Sequence, residues 1–391
     1  KIQVLQDNEY PVPEDLAPLP GYHLEFQTVS ETGEKVSQQL NLMFVPTQQT
    51  GTYLEGDYLR DRAYEEAGAT IIADKATLWQ NADIITKVAP LKEEELPILP
   101  KGSSIVGLLN PFGNPEMIET LAKQGVNAFS LELMPRTSRA QSMDALSSQG
   151  NIAGYKAVLI GAAALPKFFP MLTTAAGTIR PAMVFVIGVG VAGLQAIATA
   201  RRLGALVEAF DIRPEVKEQV ESLGGKFVEM TLEEETTTKD GYAKEVSKDS
   251  KQKSQELIAK HVASADVVIT TAQVQGKRAP QLVTSEMIQQ MKPGSVIVDL
   301  AGEQGGNCEP TEAGKDIQME PGVTVIGPIN LPSSLPIHAS QLYSKNISTL
   351  LQYLVKEDQM QLDFEDDIIN SICLTYDGEL RNQRVKDILA A

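Results

Sequence analysis

The sequence predicts an α/β protein built from two Rossmann-like, doubly wound domains. Short apolar segments alternate with helical segments from residue 181 onward, a glycine-rich turn joins one apolar segment to a helix, and a similar alternation begins near Thr70. Such alternation is typical of parallel sheets covered by helices. The length of 391 residues is sufficient for two or three domains with ordinary cores.

The most informative stretch is an apolar run over residues 183–200, in which only Gln195 and Thr199 are polar. Its length approaches the about 20 residues that a membrane-spanning helix needs. However, residues 184–187 are β-branched or aromatic, whereas residues 194–203 are mainly helix formers followed by Gly204. The run therefore predicts a buried strand, a glycine turn and a helix with a glycine after its last turn.

In this context, the triplet Gly188, Gly190 and Gly193 predicts a dinucleotide site. The first glycine permits a tight turn, the second lets the backbone approach a pyrophosphate, and the third lets helix and strand pack closely. A second apolar strand ends in Asp211, whose carboxylate can accept a hydrogen bond from a ribose 2′-hydroxyl and repel a 2′-phosphate. The pattern favours NAD(H), although Arg213 is an opposing signal because arginine can accept a 2′-phosphate.

The remaining elements follow from the same periodicities. In the second half we predict strands at 183–187, 206–210, 226–230, 266–272, 295–301 and 323–327. In the first half we predict strands at 83–87 and 104–109 and a helix at 115–124. The pattern of residues 1–51 supports no assignment, so we leave their elements unpredicted. A proline-rich crossing at 328–336 precedes a helix at 340–354, which would return the chain to the first domain.

These elements divide the chain into two predicted domains. The first is an α/β domain formed by residues 1–145 and completed by residues 335–391, and the second is an NAD(H)-binding Rossmann domain at 146–334. Residues 231–256 interrupt the second domain with a long polar segment. A flexible lid and an ordinary solvated loop explain this segment about equally well.

Composition excludes several classes of protein. A net charge of −17 argues against a nucleic-acid partner, which would require a basic surface. Cys308 and Cys373 are far apart and lack metal-ligand spacing, so we expect neither a disulfide framework nor a metal site, and a reducing compartment fits. No signal peptide opens the sequence, and no other segment is apolar enough to span a bilayer.

Residues suited to acid–base chemistry are few. His23, His261 and His338 have no candidate catalytic neighbour in the sequence, so a surface or packing role is the better interpretation for each. Lys87, at a predicted strand end, is a candidate active-site cation or an ordinary solvated lysine. A denser polar cluster lies at residues 134–147, between the predicted domains, where it forms either a ligand-binding segment or a hydrogen-bonded hinge.

Several segments resemble the NAD(H)-binding α subunit of proton-translocating nicotinamide nucleotide transhydrogenase. The resemblance is collinear from about Tyr58 to the C-terminus. Its most specific parts are the MPR-to-SSQ segment and DGYAKE; the others are TAAGTIRPAMVFVIGVGVAGLQAIATARRLGALVEAFDIR, KEQVESLGGKF, KPGSVIVDLAGEQGGNCE and DGELRNQRVKD.

The resemblance implies roles for individual residues. Arg136, Gln141 and Asp144 would form the loop that holds the nicotinamide end and meets the partner's NADP(H). A mobile loop containing Gly241 and Tyr242 would close over the bound nucleotide. The other implied cofactor-binding residues, beside the three glycines, are Ser147, Val191, Asp211, Ile212, Arg213, Thr271, Ala272 and Gln273.

The implied reaction is reversible hydride transfer from NADH to NADP⁺, coupled to proton translocation. NAD(H) would bind this chain, whereas NADP(H) would bind a partner subunit, and further subunits would span the membrane. The resemblance also implies a homodimer that has no membrane span of its own and is attached through its partners to the cytoplasmic face of the membrane. Since both reactants are nicotinamides, catalysis would require their close approach but no acid or base.

The related alanine dehydrogenases are the main alternative. They carry a strand-end lysine, matched by Lys87, and a histidine after the next strand, where this chain has Asn110. Residues 1–51 also lack the opening signature that alanine dehydrogenases and transhydrogenases largely share. A non-catalytic NAD-sensing module is a third possibility, which an assay of hydride transfer with an NADP-binding partner would distinguish.

Overall fold

The computed structural model divides the chain into two compact units. Unit 1 comprises Lys1–Leu146 and Ser340–Ala391, and unit 2 comprises Ser147–Ala339. The structure describes five short strands between residues 2 and 45, and then residues 70, 72, 74–230, 248–274, 276–356 and 359–390.

Both units alternate strands with helices. The strands are β1 (Ile2–Val4), β2 (Tyr22–His23), β3 (Thr28–Val29), β4 (Lys35–Val36), β5 (Leu42–Val45), β6 (Ile84–Lys87), β7 (Ser104–Gly107), β8 (Asn127–Ser130), β9 (Leu172–Thr174), β10 (Gly177–Ile179), β11 (Met183–Ile187), β12 (Leu206–Phe210), β13 (Lys226–Phe227), β14 (Val267–Thr270), β15 (Val296–Asp299), β16 (Asp316–Met319), β17 (Val323–Ile326), β18 (Val355–Lys356), β19 (Gln359–Met360), β20 (Cys373–Tyr376) and β21 (Glu379–Leu380). The α-helices are α1 (Lys75–Gln80), α2 (Pro115–Gln124), α3 (Ala145–Ala164), α4 (Val191–Arg202), α5 (Lys217–Ser222), α6 (Lys248–Ser264), α7 (Ser285–Gln289), α8 (Pro336–Leu354), α9 (Asp367–Ile372) and α10 (Gln383–Ala390).

The sheet of unit 2 has the order β13-β12-β11-β14-β15-β17-β16, and all its pairs are parallel except β16 with β17. Strands β14 and β15 are buried along their whole length, because both faces of the sheet are covered by apolar side chains. The apolar run at 183–200 is divided between β11 and α4. The predicted doubly wound α/β fold is therefore confirmed.

The main sheet of unit 1 has the order β1-β5-β6-β7-β8-β20-β21 and is parallel from β1 to β8. Strand β20, near the end of the chain, extends this sheet by pairing antiparallel with β8. Helix α8 contributes Ile347 and Leu350 to the core that contains Val106 and Phe129. The last fifty residues therefore complete the sheet and core of unit 1.

The structure corrects three predicted elements. The strand predicted at 226–230 ends at Phe227, and helix α6 starts at Lys248, inside the segment predicted as a polar loop or lid. Ile258 and Val262 of this helix are four positions apart and buried, so the helix is amphipathic. Its polar first turns concealed the helical pattern in the sequence. The other part of the predicted lid, residues 231–247, lies outside the described residues.

The third correction concerns the polar cluster at 134–147. It contains a 3-10 turn at Gln141–Met143, and helix α3 starts at Ala145, so its last part is helical. The antiparallel pairs that were not predicted include two in unit 2, the β9–β10 hairpin and the edge strand β16. Both have largely exposed side chains, so they lack the buried apolar pattern on which the prediction relied.

Among the helices that the structure describes, none has the length and hydrophobicity required to cross a bilayer.

Candidate functional site

The glycine turn of unit 2 follows β11 directly. Gly188 has a φ of 94°, which is the left-handed region that favours glycine. A side chain at Gly193 would bring its Cβ to 2.0 Å from the carbonyl oxygen of Gly188. Gly193 must therefore be glycine for α4 to pack against the turn, in agreement with the role predicted for the third glycine.

The space in front of helix α4 is open. Gly190 is the N-cap residue, no side chain caps the helix, and a Cβ at Gly190 would meet no atom within 4 Å. The N–H groups at the start of a helix lack intrahelical acceptors and carry the positive end of the helix dipole. Val191, the first helical residue, belongs to this turn, so the residues present fit a dinucleotide pyrophosphate.

Asp211, just past the end of β12, is 9% exposed and fully hydrogen-bonded. Its Oδ2 accepts hydrogen bonds from Val189 N at 2.7 Å and from a terminal nitrogen of Arg213 at 2.8 Å. Its Oδ1 accepts from Arg213 N and Nε, both at 2.9 Å. The hydrogen-bonded carboxylate raises the pKa of Arg213. Asp211, predicted to meet the ribose, and Arg213, the opposing signal, therefore form one ion pair. Ile212 between them is partly buried in the core.

The loop after β14 lies beside the glycine turn. Thr271 Oγ1 donates a hydrogen bond to Gly188 O at 2.9 Å, and Ala272 is hydrogen-bonded through both its N–H and its C=O to the side chain of Asn307. Gln273 Nε2 donates to Leu300 O at 2.8 Å. Residues 271–273 are thus attached to the turn on one side and to the loop after β15 on the other.

Ser147 belongs to the helix that packs beside the turn. It shares a face of α3 with Gly150 and Gly154, since these residues are three and four positions apart. A Cβ at Gly150 would lie 3.7 Å from the Val191 side chain, and one at Gly154 only 2.1 Å from Ala192 O. Ser147 therefore lies on the helix face that meets the start of α4.

Arg136, Gln141 and Asp144 lie together in unit 1, on a loop that the unit holds firmly. Arg136 and Gln141 are exposed and Asp144 is half-buried, whereas Ala140 and Met143 between them are buried. Three bonds attach the loop to its surroundings: Arg139 pairs with Asp366 at 2.9 Å and with Asp367, and Asn346 Nδ2 donates to Ser142 O at 2.9 Å.

The carboxyl ends of the unit 1 strands are occupied by the unit's own polar side chains. Lys87 is 1% exposed, and its Nζ lies 3.1 Å from Glu95 Oε1. The Glu132 carboxylate accepts hydrogen bonds from Leu109 N at 3.0 Å and Asn110 N at 2.7 Å. Tyr343 donates a hydrogen bond to Lys87 O at 2.7 Å, and burial raises its pKa.

Of the histidine side chains that the structure describes, one is packed and one is exposed. His261 Nδ1 lies 2.6 Å from Glu208 Oε2, and its ring stacks on Phe185, which gives it a packing role on α6. His338 is exposed on α8. The side chain of His23 lies outside the part that the structure describes.

The geometry brings together the residues predicted on unit 2, from the three glycines to Gln273 and Ser147, but it also reveals residues that the sequence interpretation missed. Asp299 and Asn307 hold the loop at 271–273, and Glu132 holds the loop at Leu109 and Asn110. An acidic residue at the carboxyl end of a buried strand was a usable signal for Asp299. Gly241 and Tyr242, predicted to close over the nucleotide, are outside the described residues.

Two family descriptions match the chain. "Alanine dehydrogenase/PNT, N-terminal domain" matches residues 52–153, and "Alanine dehydrogenase/PNT, C-terminal domain" matches residues 157–383. Together these matches extend over most of the chain and include the glycine turn, the polar loop at 136–144 and strands β6, β7, β8 and β20 of unit 1, but not β1 to β5.

Individual relatives narrow the assignment. The chain is 45% identical over 353 residues to NAD(P) transhydrogenase subunit alpha of Haemophilus influenzae, covering 90% of this chain and 68% of that protein. The structure of a transhydrogenase from Sinorhizobium meliloti matches with a TM-score of 0.70 and 42% identity, over 83% of this chain and 86% of that one. Alanine dehydrogenase of Bacillus subtilis is 31% identical over 297 residues, covering 74% of this chain and 71% of that protein.

These likenesses agree with the glycine turn and the two doubly wound units. The chain therefore belongs to the alanine dehydrogenase/PNT family of nicotinamide nucleotide oxidoreductases and, within it, resembles the alpha subunit of NAD(P) transhydrogenase most closely of the proteins compared above.

Proposed function

We propose that this chain is the NAD(H)-binding component of a proton-translocating transhydrogenase. NADH bound at the glycine turn would supply a hydride to NADP⁺ held on a partner subunit, reversibly. The chain's own residues would bind the dinucleotide, orient its nicotinamide and exclude water, with no proton to move. The alpha-subunit relatives support this proposal.

One observation carries the choice over alanine dehydrogenase. A dehydrogenase acting on an amine needs a placed acid or base, and the resemblance aligns Asn110 with the histidine of alanine dehydrogenases. Lys87, the counterpart of their strand-end lysine, is buried and paired with Glu95. The carboxyl edge of unit 1 therefore lacks the arrangement that amine chemistry requires, among the residues that the structure describes there.

The glycine turn would bind the cofactor in an extended conformation. Gly188, Gly190, Gly193 and Val191 would hold the pyrophosphate through the free space and N–H groups at the start of α4. The pair of Asp211 and Arg213, with Ile212, would meet the adenosine ribose. Thr271, Ala272, Gln273 and Ser147 would line the nicotinamide side, and Gly241 and Tyr242 would belong to a segment that closes over the nucleotide.

Arg136, Gln141 and Asp144 would bring the two nicotinamides together. Arg136 and Gln141 are exposed on a loop whose base is fixed by Ala140 and Met143. An exposed polar loop on a rigid base is suited to meeting a second protein and its NADP(H). The partners would be an NADP(H)-binding subunit and membrane-spanning subunits, through which the chain would sit at the cytoplasmic face of the membrane.

We further propose that the chain forms a homodimer through the β9–β10 hairpin. Apolar side chains are exposed in this hairpin and in the segment that leads into it: Ile179 of β10 is 40% exposed, and Phe168 and Met171, which precede β9, are 54% and 62% exposed. Exposed apolar patches on a folded protein usually mark an interface. Sedimentation of the wild-type chain beside Met171→Glu would test this, with a monomeric variant as the expected result and an unchanged association state as the contrary one.

The proposed function is tested by two assays on one preparation. Fluorescence titration should detect tight NADH binding and much weaker NADPH binding, and single-turnover transfer should appear only when an NADP(H)-binding subunit is added. The isolated chain, given NADH, pyruvate and ammonia, should form no alanine. Robust pyruvate amination by the chain alone would overturn the proposal in favour of alanine dehydrogenase, and NADH binding without transfer to any partner would indicate an NAD-sensing module.

A further inference from the structure

Asn307 lies in the loop that follows β15 and is completely buried. Its Oδ1 accepts a hydrogen bond from Ala272 N at 3.0 Å, while its Nδ2 donates to Ala272 O at 2.8 Å and to Pro280 O at 2.8 Å. Strand β14 ends at Thr270, so Ala272 lies beyond the end of the strand. The side-chain amide of Asn307 therefore bonds Ala272 on both sides, as a neighbouring strand would.

Asn307 is itself held in position by Asp299, the last residue of β15, which is also completely buried. The Oδ2 atom of Asp299 accepts a hydrogen bond from Asn307 N at 2.8 Å. The carboxylate has four further donors: Cys308 N, Thr311 Oγ1, Thr270 Oγ1 and Ala301 N. A buried carboxylate with five donors is satisfied and rigid, so the position of Asn307 is fixed by the sheet.

The hydrogen bonds on either side of Ala272 connect the same loop to two other parts of unit 2. Thr271 donates to Gly188 O in the glycine turn, and Gln273 donates to Leu300 O. Ala272 is the central residue of this stretch, and both its backbone groups are bonded to Asn307. Loss of the amide would therefore release the middle of the loop while leaving the two outer contacts in place.

We propose that Asn307 is a positioning residue that fixes Ala272, and through it the side of the pocket against which the nicotinamide rests. The proposal rests on the proposed function, because it takes residues 271–273 as the nicotinamide side of the site. Ring orientation matters in such a site, since an error of about 1 Å in the position of reacting groups can cost on the order of a hundredfold in rate. The pyrophosphate and ribose contacts lie elsewhere, at the glycine turn and Asp211.

The first test compares Asn307→Ala with Thr311→Val. Asn307→Ala removes the side-chain bonds to Ala272 and Pro280 but keeps the bond from Asn307 N to Asp299. Thr311→Val instead removes a bond to Asp299 and leaves the contacts of Ala272 intact, so it is a control for disturbance of the same buried network. We expect Asn307→Ala to lose hydrogen-exchange protection at the Ala272 amide and to slow single-turnover transfer by about ten- to a hundredfold, with the NADH dissociation constant changed by less than about threefold. Thr311→Val should lose thermal stability but keep both protection and transfer. Transfer by Asn307→Ala at the wild-type rate, or slowed equally by Thr311→Val, would overturn the proposal.

The second test uses Asn307→Asp, which keeps the acceptor for Ala272 N but directs a carboxylate oxygen at the carbonyl oxygens of Ala272 and Pro280. Burial and the nearby Asp299 charge should raise the pKa of the new carboxyl group, and its protonated form restores one donor. The rate of transfer by Asn307→Asp, relative to that of the wild type, should therefore rise as the pH is lowered, and a ratio that does not vary with pH would contradict the proposal.

Failure of this proposal is distinguishable from failure of the proposed function. If the wild-type chain transfers hydride to no partner, the proposed function fails, whereas hydrogen exchange at the Ala272 amide still decides whether Asn307 fixes this loop.

Discussion

The two sheets differ at the carboxyl ends of their parallel strands. In unit 2 the chain after β11 turns through glycines, and the Cβ position of Gly190 faces open space. In unit 1 the chain after β7 turns through Asn110, and the side chain of Asn110 fills this turn. A Cβ added at Gly113 would lie only 2.5 Å from Asn110 Nδ2. Helix α2 then begins with Pro115, which has no N–H to offer a ligand.

The charged side chains at these strand ends also differ between the two units. The acid of unit 2 at this edge, Asp211, is paired with Arg213 at the rim of the glycine turn, whereas the pair of Lys87 and Glu95 in unit 1 is completely buried. A doubly wound sheet provides a crevice at the carboxyl ends of its strands, but the side chains there decide whether a ligand can enter. The comparison teaches that two similar folds in one chain can differ at this edge: the edge of unit 2 has open space suited to a ligand, whereas that of unit 1 is filled by its own side chains.

The largest effect is expected for Glu95→Gln in unit 1. The change removes the carboxylate that faces buried Lys87, and breaking a buried ion pair costs about 3–5 kcal/mol of stability. Chemical denaturation should detect this loss, while NADH affinity should stay near the wild-type value, because we propose that the NADH site lies in unit 2. Glu94→Gln, an exposed carboxylate in the same turn, is the control. A large fall in NADH affinity at unchanged stability would show that unit 1's edge does bind a ligand.

A pair of glycine substitutions separates folding from binding in unit 2. In Gly193→Ala the new Cβ meets the Gly188 carbonyl, and such overpacking costs about 1–3 kcal/mol, so stability and NADH binding should both fall. In Gly190→Ala the new Cβ enters open space, so only NADH binding should weaken, by roughly tenfold or more. Melting temperature and NADH titration measure the two effects. Unchanged NADH affinity in Gly190→Ala would place the pyrophosphate elsewhere.

Arg213→Ala sharpens the account of nucleotide selectivity. The guanidinium neutralises Asp211, so removing it should strengthen repulsion of a 2′-phosphate and widen the preference for NADH over NADPH by about 1 kcal/mol, or roughly fivefold. Asp211→Ala should reduce the preference for NADH over NADPH. Parallel titrations with NADH and NADPH test both changes, and a preference that narrows in Arg213→Ala would contradict the neutralising role.

The smallest effect is expected at the opposite end of the unit 2 sheet. Asp266 accepts hydrogen bonds from Met183 N at 2.8 Å and Lys167 Nζ at 2.9 Å, and these bonds outweigh desolvation and lower its pKa. A lowered folded-state pKa stabilises the fold above the unfolded pKa of about 3.9, and this contribution is lost as the pH falls through the folded pKa. Asp266→Asn should therefore cost about 1 kcal/mol at pH 7 and progressively less below pH of about 4, without affecting NADH binding. A stability difference that is constant down to acid pH would contradict this assignment.

Much of unit 2 was predictable because its signals are local. Strands β11 and β12 and helix α2 of unit 1 have the predicted bounds, since each is a strong periodic segment ended by turn residues. The first turns of α6 were predicted as a loop because four lysines and other polar residues of this helix outnumber its buried positions. The edge strand β16 and the β9–β10 hairpin lacked a buried face and therefore gave no apolar signal.

By itself the sequence determined the two doubly wound units and the glycine turn between β11 and α4, because glycine conformations and apolar periodicity act over a few residues. Only the tertiary structure decided which polar groups meet. The bonds between Asn307 and Ala272, Thr271 and Gly188, and Tyr343 and Lys87 join residues that are 35, 83 and 256 positions apart. Parallel sheets bring such residues together through crossover connections. Neither the filling of the carboxyl ends of the unit 1 strands by side chains nor the contacts of Asn307 could therefore be predicted from sequence spacing alone.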